Sequence, residues 1–167
     1  FGKALPAGPA AAIAAGVGMV HQHFMLAADM TALENVILGR EPVRGGGLLD
    51  LDRARSDARA IADRHGLDVD LERRVEEMSV GERQRLEVLK VLYRGAKILV
   101  LDEPTAVLTP EESSRLLALC RELAAQPGHA VVVVTHKLGE VVEVADRVVV
   151  LRRGEKVAES KRGELDA

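Results

Sequence analysis

The 167-residue chain is poor in aromatic residues and cysteine. It contains two phenylalanines, one tyrosine and no tryptophan, so its core must be built from aliphatic side chains. A single cysteine excludes a disulfide framework and fits a reducing compartment. Cys120 lies among Leu116, Leu117 and Leu123 at helical spacing, which predicts a packed core thiol in preference to a nucleophile.

Long hydrophobic runs and an excess of positive charge are also missing. The longest apolar runs, such as 131–134, are the length of a strand, far short of the roughly 20 residues that a membrane-spanning helix needs. Any membrane role must therefore go through a partner. The 23 Lys and Arg residues against 26 Asp and Glu give a formal charge of −3, so no nucleic-acid-binding surface is indicated and none is expected.

The composition is otherwise that of an ordinary globular domain, with 47% hydrophobic and 29% charged residues. The first residue is Phe, and residues 1–4 have neither the charge nor the apolar run of a signal peptide. We therefore expect the chain to be cut from something longer.

Strand and helix patterns alternate along the chain. Apolar runs predict strands at 17–20, 98–101 and 130–134, and the unbroken aliphatic run at 98–101 is typical of a strand covered on both faces. Helices are predicted at 9–15, 31–38, from 51 to Gly66, 79–94, 109–125 and 138–145, with 44–47 as a flexible connector and a closing hairpin at 147–158. This alternation predicts an α/β fold with a mainly parallel sheet flanked by helices.

An acidic pair, Asp102-Glu103, follows the strand at 98–101 and is itself followed by Pro104-Thr105. In an open parallel sheet, ligands lie beyond the carboxyl ends of the strands. Phosphoryl transfer needs a magnesium ion and a group that orients or deprotonates the attacking water, and two adjacent carboxylates can divide these tasks. An acidic surface turn is the alternative for the pair taken alone.

Three further patterns stand at element boundaries. A serine and a glycine open the helix at Ser79-Val80-Gly81-Glu82-Arg83-Gln84, whose N-terminus suits a phosphate, although a plain N-cap explains it equally. His136 follows the strand at 130–134. An imidazole there can bind a phosphate oxygen or position a water, and a purely structural histidine is the alternative. Gln22 lies between His21 and His23 after the first strand, where its amide could reach a metal-bound water. The two histidines have no acidic or thiol partner at ligand spacing, so we give them little weight as metal ligands.

The order of these patterns resembles the ATP-binding subunits of ABC transporters. Gln22 matches the Q-loop, 79–84 the signature motif, 98–102 the Walker B strand, Glu103 the catalytic glutamate and His136 the switch histidine. The segments 19–24, 34–36 and 89–95 look most like the first cassette of importers for nucleosides or simple sugars, whose subunits carry two cassettes in one chain. The resemblance implies a P-loop NTPase-like cassette with a small helical subdomain at about 25–95 that includes the signature motif, and a core sheet in the remainder.

The family also implies roles for single residues. Asp102 would support Mg²⁺ together with Gln22, Glu103 would polarise the water, and His136 would contact the terminal phosphate of ATP. Gln22 would in addition sense the metal and transmit this signal to the membrane subunits. The signature residues Ser79, Val80, Gly81, Glu82 and Gln84 would bind the ATP held by a second cassette, in the same chain or another subunit.

The partners implied are membrane permease subunits and, indirectly, a periplasmic or lipid-anchored substrate-binding protein. The expected location is the cytoplasmic face of the cell membrane, as a peripheral subunit. Two alternatives remain open: a soluble cassette ATPase acting on ribosomes or DNA, and a non-catalytic module that presents only its signature helix. The short insert of mixed charge between Gln22 and Ser79 favours transport.

The largest departure from the family is the Walker A loop, because Gly-x-x-x-x-Gly-Lys-Ser/Thr does not occur in the sequence and Gly2-Lys3 is followed by Ala4. We expect the loop to precede this stretch in a longer protein; a naturally loopless cassette is the alternative. Each bond lost from a charged ligand costs about 1.5 to 3 kcal/mol, so the chain alone should neither bind ATP tightly nor hydrolyse it. Val80 and Glu82 replace the usual Gly and Gln, and Thr109 stands where the D-loop aspartate is usual.

Overall fold

A computed structural model describes residues 8–162 and residue 164. Gly2 and Lys3, which the sequence excludes as a phosphate loop, lie outside the described residues. The helices are α1 (Pro9–Ala14), α2 (Ala32–Ile37), α3 (Leu51–Arg64), α4 (Val80–Tyr93), α5 (Pro110–Ala125) and α6 (Leu138–Val144), with a 3-10 turn at Val75–Glu77. The strands are β1 (Val17–Val20), β2 (Val43–Arg44), β3 (Leu48–Leu49), β4 (Ile98–Asp102), β5 (Ala130–Val134), β6 (Arg147–Arg152) and β7 (Glu155–Lys161).

A three-stranded parallel sheet lies at the centre, in the order β1-β4-β5. Val20 pairs with Leu101, and Asp102 pairs with Val134, so the three strands end at one edge. Helices flank this sheet, which confirms the predicted α/β class. The closing hairpin β6-β7 is a separate antiparallel pair.

The helix starts follow the capping patterns of the sequence. Complete capping boxes open α2 at Thr31, α4 at Ser79 and α5 at Thr109, each with a glutamate three residues further on. Gly95, at φ 79°, follows the end of α4 in the left-handed conformation that glycine adopts without strain. These local signals explain why the predicted helix boundaries lie close to the observed ones.

The core is aliphatic, as the composition predicts. It joins α2, α3 and α4 to one face of the sheet and to α5, and its most buried large side chains include Leu71, Leu86, Leu89 and Leu101. Cys120 is buried in this core, and burial raises the pKa of its thiol to about 12. The prediction of an inert packed thiol is thus confirmed.

The central strands are covered on one face only in the part of the chain that the structure describes. Leu99 and Leu101 are buried, whereas Met19, Val132 and Val134 on the other face are 41 to 50% exposed. Paired residues of parallel strands share a face, so Asp102, opposite Val134, lies on this less covered side. The prediction that 98–101 is covered on both faces is met only in part, because α4 and α5 pack on the opposite face and leave Ile98 and Val100 half-buried.

The segment 44–47 also differs from the flexible connector expected. Val43 pairs with Leu49 and Arg44 with Leu48, so the glycines form the turn of a short hairpin. Gly46 and Gly47 adopt φ of 84° and 79°, and Gly47 N donates to Arg44 O at 3.1 Å. Three consecutive glycines thus build a tight turn, which needs positive φ.

No helix among residues 8–162 has the length and apolar character needed to cross a membrane. Residues 25–95 contain α2, α3 and α4, but α4 also packs on β1, where Gly18 leaves room for the Val91 side chain. The division of the chain at about 25 and 95 stays a prediction.

Candidate functional site

The chemistry predicted from the sequence gathers at the carboxyl edge of the central sheet. Asp102 is the last residue of β4, and Glu103 N donates a backbone hydrogen bond to Val134 O at 2.9 Å. His136 follows β5 by two residues. The parallel pairing of β4 and β5 therefore delivers both segments to the same place.

Glu103 and His136 are in direct contact. His136 Nδ1 lies 2.8 Å from Glu103 Oε1, and this contact is a hydrogen bond when Nδ1 holds the proton. The Glu103 side chain is 19% exposed and that of His136 is 77% exposed. A carboxylate in a shielded position thus has an imidazole from a neighbouring strand beside it, open to a ligand.

Glu103 is held in an unusual conformation. Its φ is 47°, one of two positive values among described non-glycine residues, and such backbone costs on the order of 1–3 kcal/mol. Its second oxygen, Oε2, is buried without a hydrogen-bond partner. An orphaned acceptor beside an exposed imidazole is an arrangement that a bound water could complete.

The residues predicted to support Mg²⁺ offer oxygen donors. Asp102 contributes a carboxylate at the end of β4, and Gln22 an exposed amide in the loop after β1. Mg²⁺ is commonly held by one or two carboxylates together with phosphate oxygens of the substrate. These oxygen donors are of the kind that Mg²⁺ takes, and the roles of Asp102 and Gln22 toward the ion stay predictions.

A hydrogen-bond cluster beneath His136 was missed by sequence reasoning. The buried Thr105 hydroxyl donates to Glu140 at 2.7 Å and accepts from Lys137 Nζ at 3.2 Å, and Lys137 Nζ also donates to Thr105 O at 2.9 Å. The cluster links the segment after Glu103 to the segment after His136. The spacing of Lys137 and Glu140, three residues apart at the start of a helix, was the available signal.

The signature motif forms the N-terminus of α4. Ser79 Oγ accepts from Glu82 N at 3.3 Å, and Ser79 N donates to Glu82 Oε2 at 2.7 Å. These bonds to Ser79 hold the pKa of the Glu82 carboxyl below its usual value. The Arg73 guanidinium, 2.7 Å away, lowers this pKa further but by less. In this state Ser79 and Glu82 satisfy each other.

Gly81 has a packing role in this chain. It is buried, and a Cβ there would overlap the Glu112 carboxylate at the start of α5. Glu112 belongs to the capping box of α5, so the start of α4 lies against the start of α5. A side chain at position 81 would have to displace the Glu112 carboxylate from this capping box.

Gln22 lies with part of the signature helix around one groove. Gln22, His23, Val80, Arg83 and Val107 all line it. Gln84 is 4% exposed and its Nε2 lacks a hydrogen-bond partner, so this structure does not present it to a ligand. Its predicted contact with nucleotide stays a prediction.

The predicted residues thus fall into two groups. Asp102, Glu103 and His136 meet at the sheet edge, while Gln22 and the start of α4 share the groove. No hydrogen bond among the described residues joins Ser79 to Glu103 or His136. The sequence order predicts both groups without fixing the distance between them.

A parallel sheet with an acidic pair and a histidine at its carboxyl edge, beside a capped helix, is the architecture of a nucleotide-binding cassette. The ABC transporter family model matches residues 2–106. The chain belongs to this family, as the sequence predicts.

The relatives agree with this assignment. The chain is 46% identical over 149 residues to the nucleoside import ATP-binding protein NupA of Lactococcus lactis, covering 89% of the chain and 29% of the relative. It is 46% identical over 155 residues to the ribose import ATP-binding protein RbsA 1 of Burkholderia thailandensis, covering 93% and 30%. The chain therefore spans about three tenths of the length of these relatives.

A solved structure supports the fold. The dimeric bacterial ABC transporter cassette MJ0796 superposes with a TM-score of 0.70 at 26% identity, covering 86% of the chain and 62% of the cassette. The prediction of a P-loop-type ABC cassette fold is confirmed.

Proposed function

We propose that this chain is part of an ATP-hydrolysing subunit of an ABC importer and supplies the groups that act on the attacking water. The observation that carries the proposal is the 2.8 Å contact between Glu103 and His136 at the carboxyl edge of the sheet. A carboxylate and an imidazole side by side at this edge support the proposal, because ligands of parallel sheets bind beyond the carboxyl ends of the strands.

The proposed roles follow from position and exposure. Glu103, whose side chain is 19% exposed beside His136, orients and polarises the water. His136, largely exposed, donates to an oxygen of the terminal phosphate. Asp102 holds Mg²⁺, which supplies charge neutralisation on the phosphates when bound.

The signature helix acts on a second nucleotide in this proposal. Ser79, Val80, Gly81 and Glu82 form the N-terminus of α4, with Gln84 one turn further on, and this terminus faces ATP held by a partner cassette. The Glu82 carboxylate already occupies Ser79 N, so phosphate binding there exchanges one anion for another. The partner cassette would lie in the same chain or in another subunit.

The proposed membrane partner is a permease, contacted through the Gln22 groove. The groove has polar and apolar lining residues, with Val80 and Val107 42% and 61% exposed. The names of the relatives support nucleosides or simple sugars as cargo, delivered by a periplasmic or lipid-anchored binding protein. The subunit would then lie on the cytoplasmic face of the membrane.

Glu103→Gln in the full-length protein tests the proposal. It keeps shape and hydrogen bonding but removes the charge, so we expect ATP hydrolysis to fall by about 10² to 10⁴-fold while bound nucleotide is retained. Phosphate release and retention of labelled ATP are the measurements.

Glu111→Gln is the matched control, because Glu111 is an exposed carboxylate on α5 that pairs only with Arg115 among the described residues. The control should hydrolyse ATP at the wild-type rate. Wild-type hydrolysis by Glu103→Gln would reject the role given to Glu103. The inactivity of the 167-residue chain alone remains a separate prediction, checked by calorimetric titration with MgATP.

A further inference from the structure

The backbone of one residue in the loop after Gln22, Met25, is bound by two charged side chains of α4. Glu87 Oε1 accepts from Met25 N at 2.5 Å, and Lys90 Nζ donates to Met25 O at 2.8 Å. The two side chains stand three residues apart and therefore share one face of the helix. Met25 is bound at both its donor and its acceptor by residues more than 60 positions away.

Both charged side chains are almost completely buried. Glu87 is 3% exposed and Lys90 is 7% exposed, and burial lowers the pKa of the Lys90 amine. Burying charge is costly unless hydrogen bonds compensate, and bonds to charged groups contribute about 1.5 to 3 kcal/mol each. Two charged side chains are therefore buried in an otherwise aliphatic core, and both bind the backbone of one loop residue.

The residues after Met25 are tied to the same helical part of the chain. Ala27 exchanges two hydrogen bonds with the buried side chain of Asn35 on α2, at 2.8 and 3.0 Å. Further along, Glu76 N donates to Ala28 O and Val75 N donates to Met30 O, both at 3.0 Å. From Met25 onward the loop is thus part of the body formed by α2, α3 and α4.

The residues before Met25 are held differently. Val20 is buried and paired with Leu101, so β1 anchors the other end of the segment in the sheet. Between these anchors, residues 21–24 make no hydrogen bond to the rest of the described chain, and 21–23 are exposed. The segment that contains Gln22 thus lies between two anchors, the pairing of β1 in the sheet and the contact of Met25 with α4.

We propose that Glu87 and Lys90 are positioning residues that make the loop from Met25 onward move as one unit with α4. A displacement at Gln22 then reaches Ser79 through the helix itself, since Glu87 lies eight residues, or about 12 Å, from Ser79 along the axis. This inference rests on the proposed function for the roles of Gln22 and Ser79.

The test separates the contact from its consequence by using two readouts on the full-length protein with its permease. Glu87→Leu and Lys90→Met remove the bonds, while Glu87→Gln and Lys90→Arg keep an acceptor and a donor. Hydrogen exchange reports on the Met25 amide, which should lose protection in Glu87→Leu and keep it in Glu87→Gln. ATP hydrolysis is measured with and without a nucleoside or ribose, the compounds in the names of the relatives, together with the binding protein.

We expect the ratio of stimulated to basal hydrolysis to fall about tenfold in both apolar variants, within the usual range of coupling between sites, and to return in both conservative variants. Arg85→Met is the matched control, because it removes one side-chain bond from α4 to the Asp68 carbonyl and leaves Met25 untouched. Its ratio should stay at the wild-type value.

Two results would overturn the inference. An unchanged ratio in Glu87→Leu, with Met25 protection lost, would show that the contact does not couple the sites. An equal fall of basal and stimulated rates, with the ratio preserved, would assign the pair to folding alone. If the wild-type protein does not hydrolyse ATP, the proposed function fails, whereas the exchange data still decide whether the contact exists.

Discussion

Two parts of this chain meet at the candidate site, and they differ in how they are held. The part up to residue 125 contains every fully buried side chain described, from Val20 to Leu123. Residues 130–162 contain none, and their apolar side chains Val134, Val150 and Leu151 are 47 to 70% exposed. Glu103 comes from the first part and His136 from the second.

Because of this difference, the catalytic candidate from the first part, Glu103, is held more firmly than His136 from the second part. Glu103 is fixed by a strained backbone, a buried setting and a strand beneath it, whereas His136 extends from an exposed segment. A shielded carboxylate keeps its orientation, and an exposed imidazole is free to follow a ligand. The contrast predicts unequal responses to mutation in the two parts.

Leu86→Ala against Val150→Ala gives the largest expected contrast. Leu86 is completely buried on α4, so its truncation should destabilise the protein by about 2–5 kcal/mol. Val150 is 47% exposed on β6, so Val150→Ala should destabilise the protein by no more than about 0.5 kcal/mol. Urea unfolding of the full-length protein followed by circular dichroism measures both, and equal losses would break the comparison.

Thr105→Val probes the junction between the two parts. The buried hydroxyl bonds Glu140 and Lys137, two charged groups, so its loss removes both bonds and should cost about 1–3 kcal/mol. Hydrolysis should fall as well, because the cluster supports the segment that contains His136. Thr105→Ser keeps the hydroxyl and is the control; wild-type stability and rate in Thr105→Val would show that the junction does not depend on this bond.

Sequence reasoning predicted the local elements and the sheet edge well, because capping boxes and strand patterns are signals within a few residues. The placement of Glu103 and His136 at the ends of two strands also followed from the strand patterns, whereas their direct contact was not predicted. The Thr105 cluster and the Met25 contact were missed, because both join residues over 30 positions apart through geometry that no local pattern encodes. The covered faces of β4 were predicted only in part for a related reason: an aliphatic run does not say which neighbours are present.

His65 gives the smallest expected effect and tests how tightly the first part is packed. The ring is 8% exposed at the end of α3, its Nδ1 has no hydrogen-bond partner, and burial lowers its pKa although Glu122, 3.9 Å away, opposes the shift. The folded protein therefore prefers the neutral ring. Stability from this group should be complete above the unfolded-state pKa of about 6.5 and decline as the pH falls through it.

Between pH 7.5 and pH 5.5, the unfolding midpoint of the wild type should fall further than that of His65→Gln, whose side chain stays neutral at both pH values. Carboxylates that titrate in this range act on both proteins alike, so the difference between the two losses isolates the imidazole. An equal loss would mean that water reaches this ring. The end of α3 would then be loosely packed. The contrast between the first part and residues 130–162 would be weaker than the burial pattern indicates.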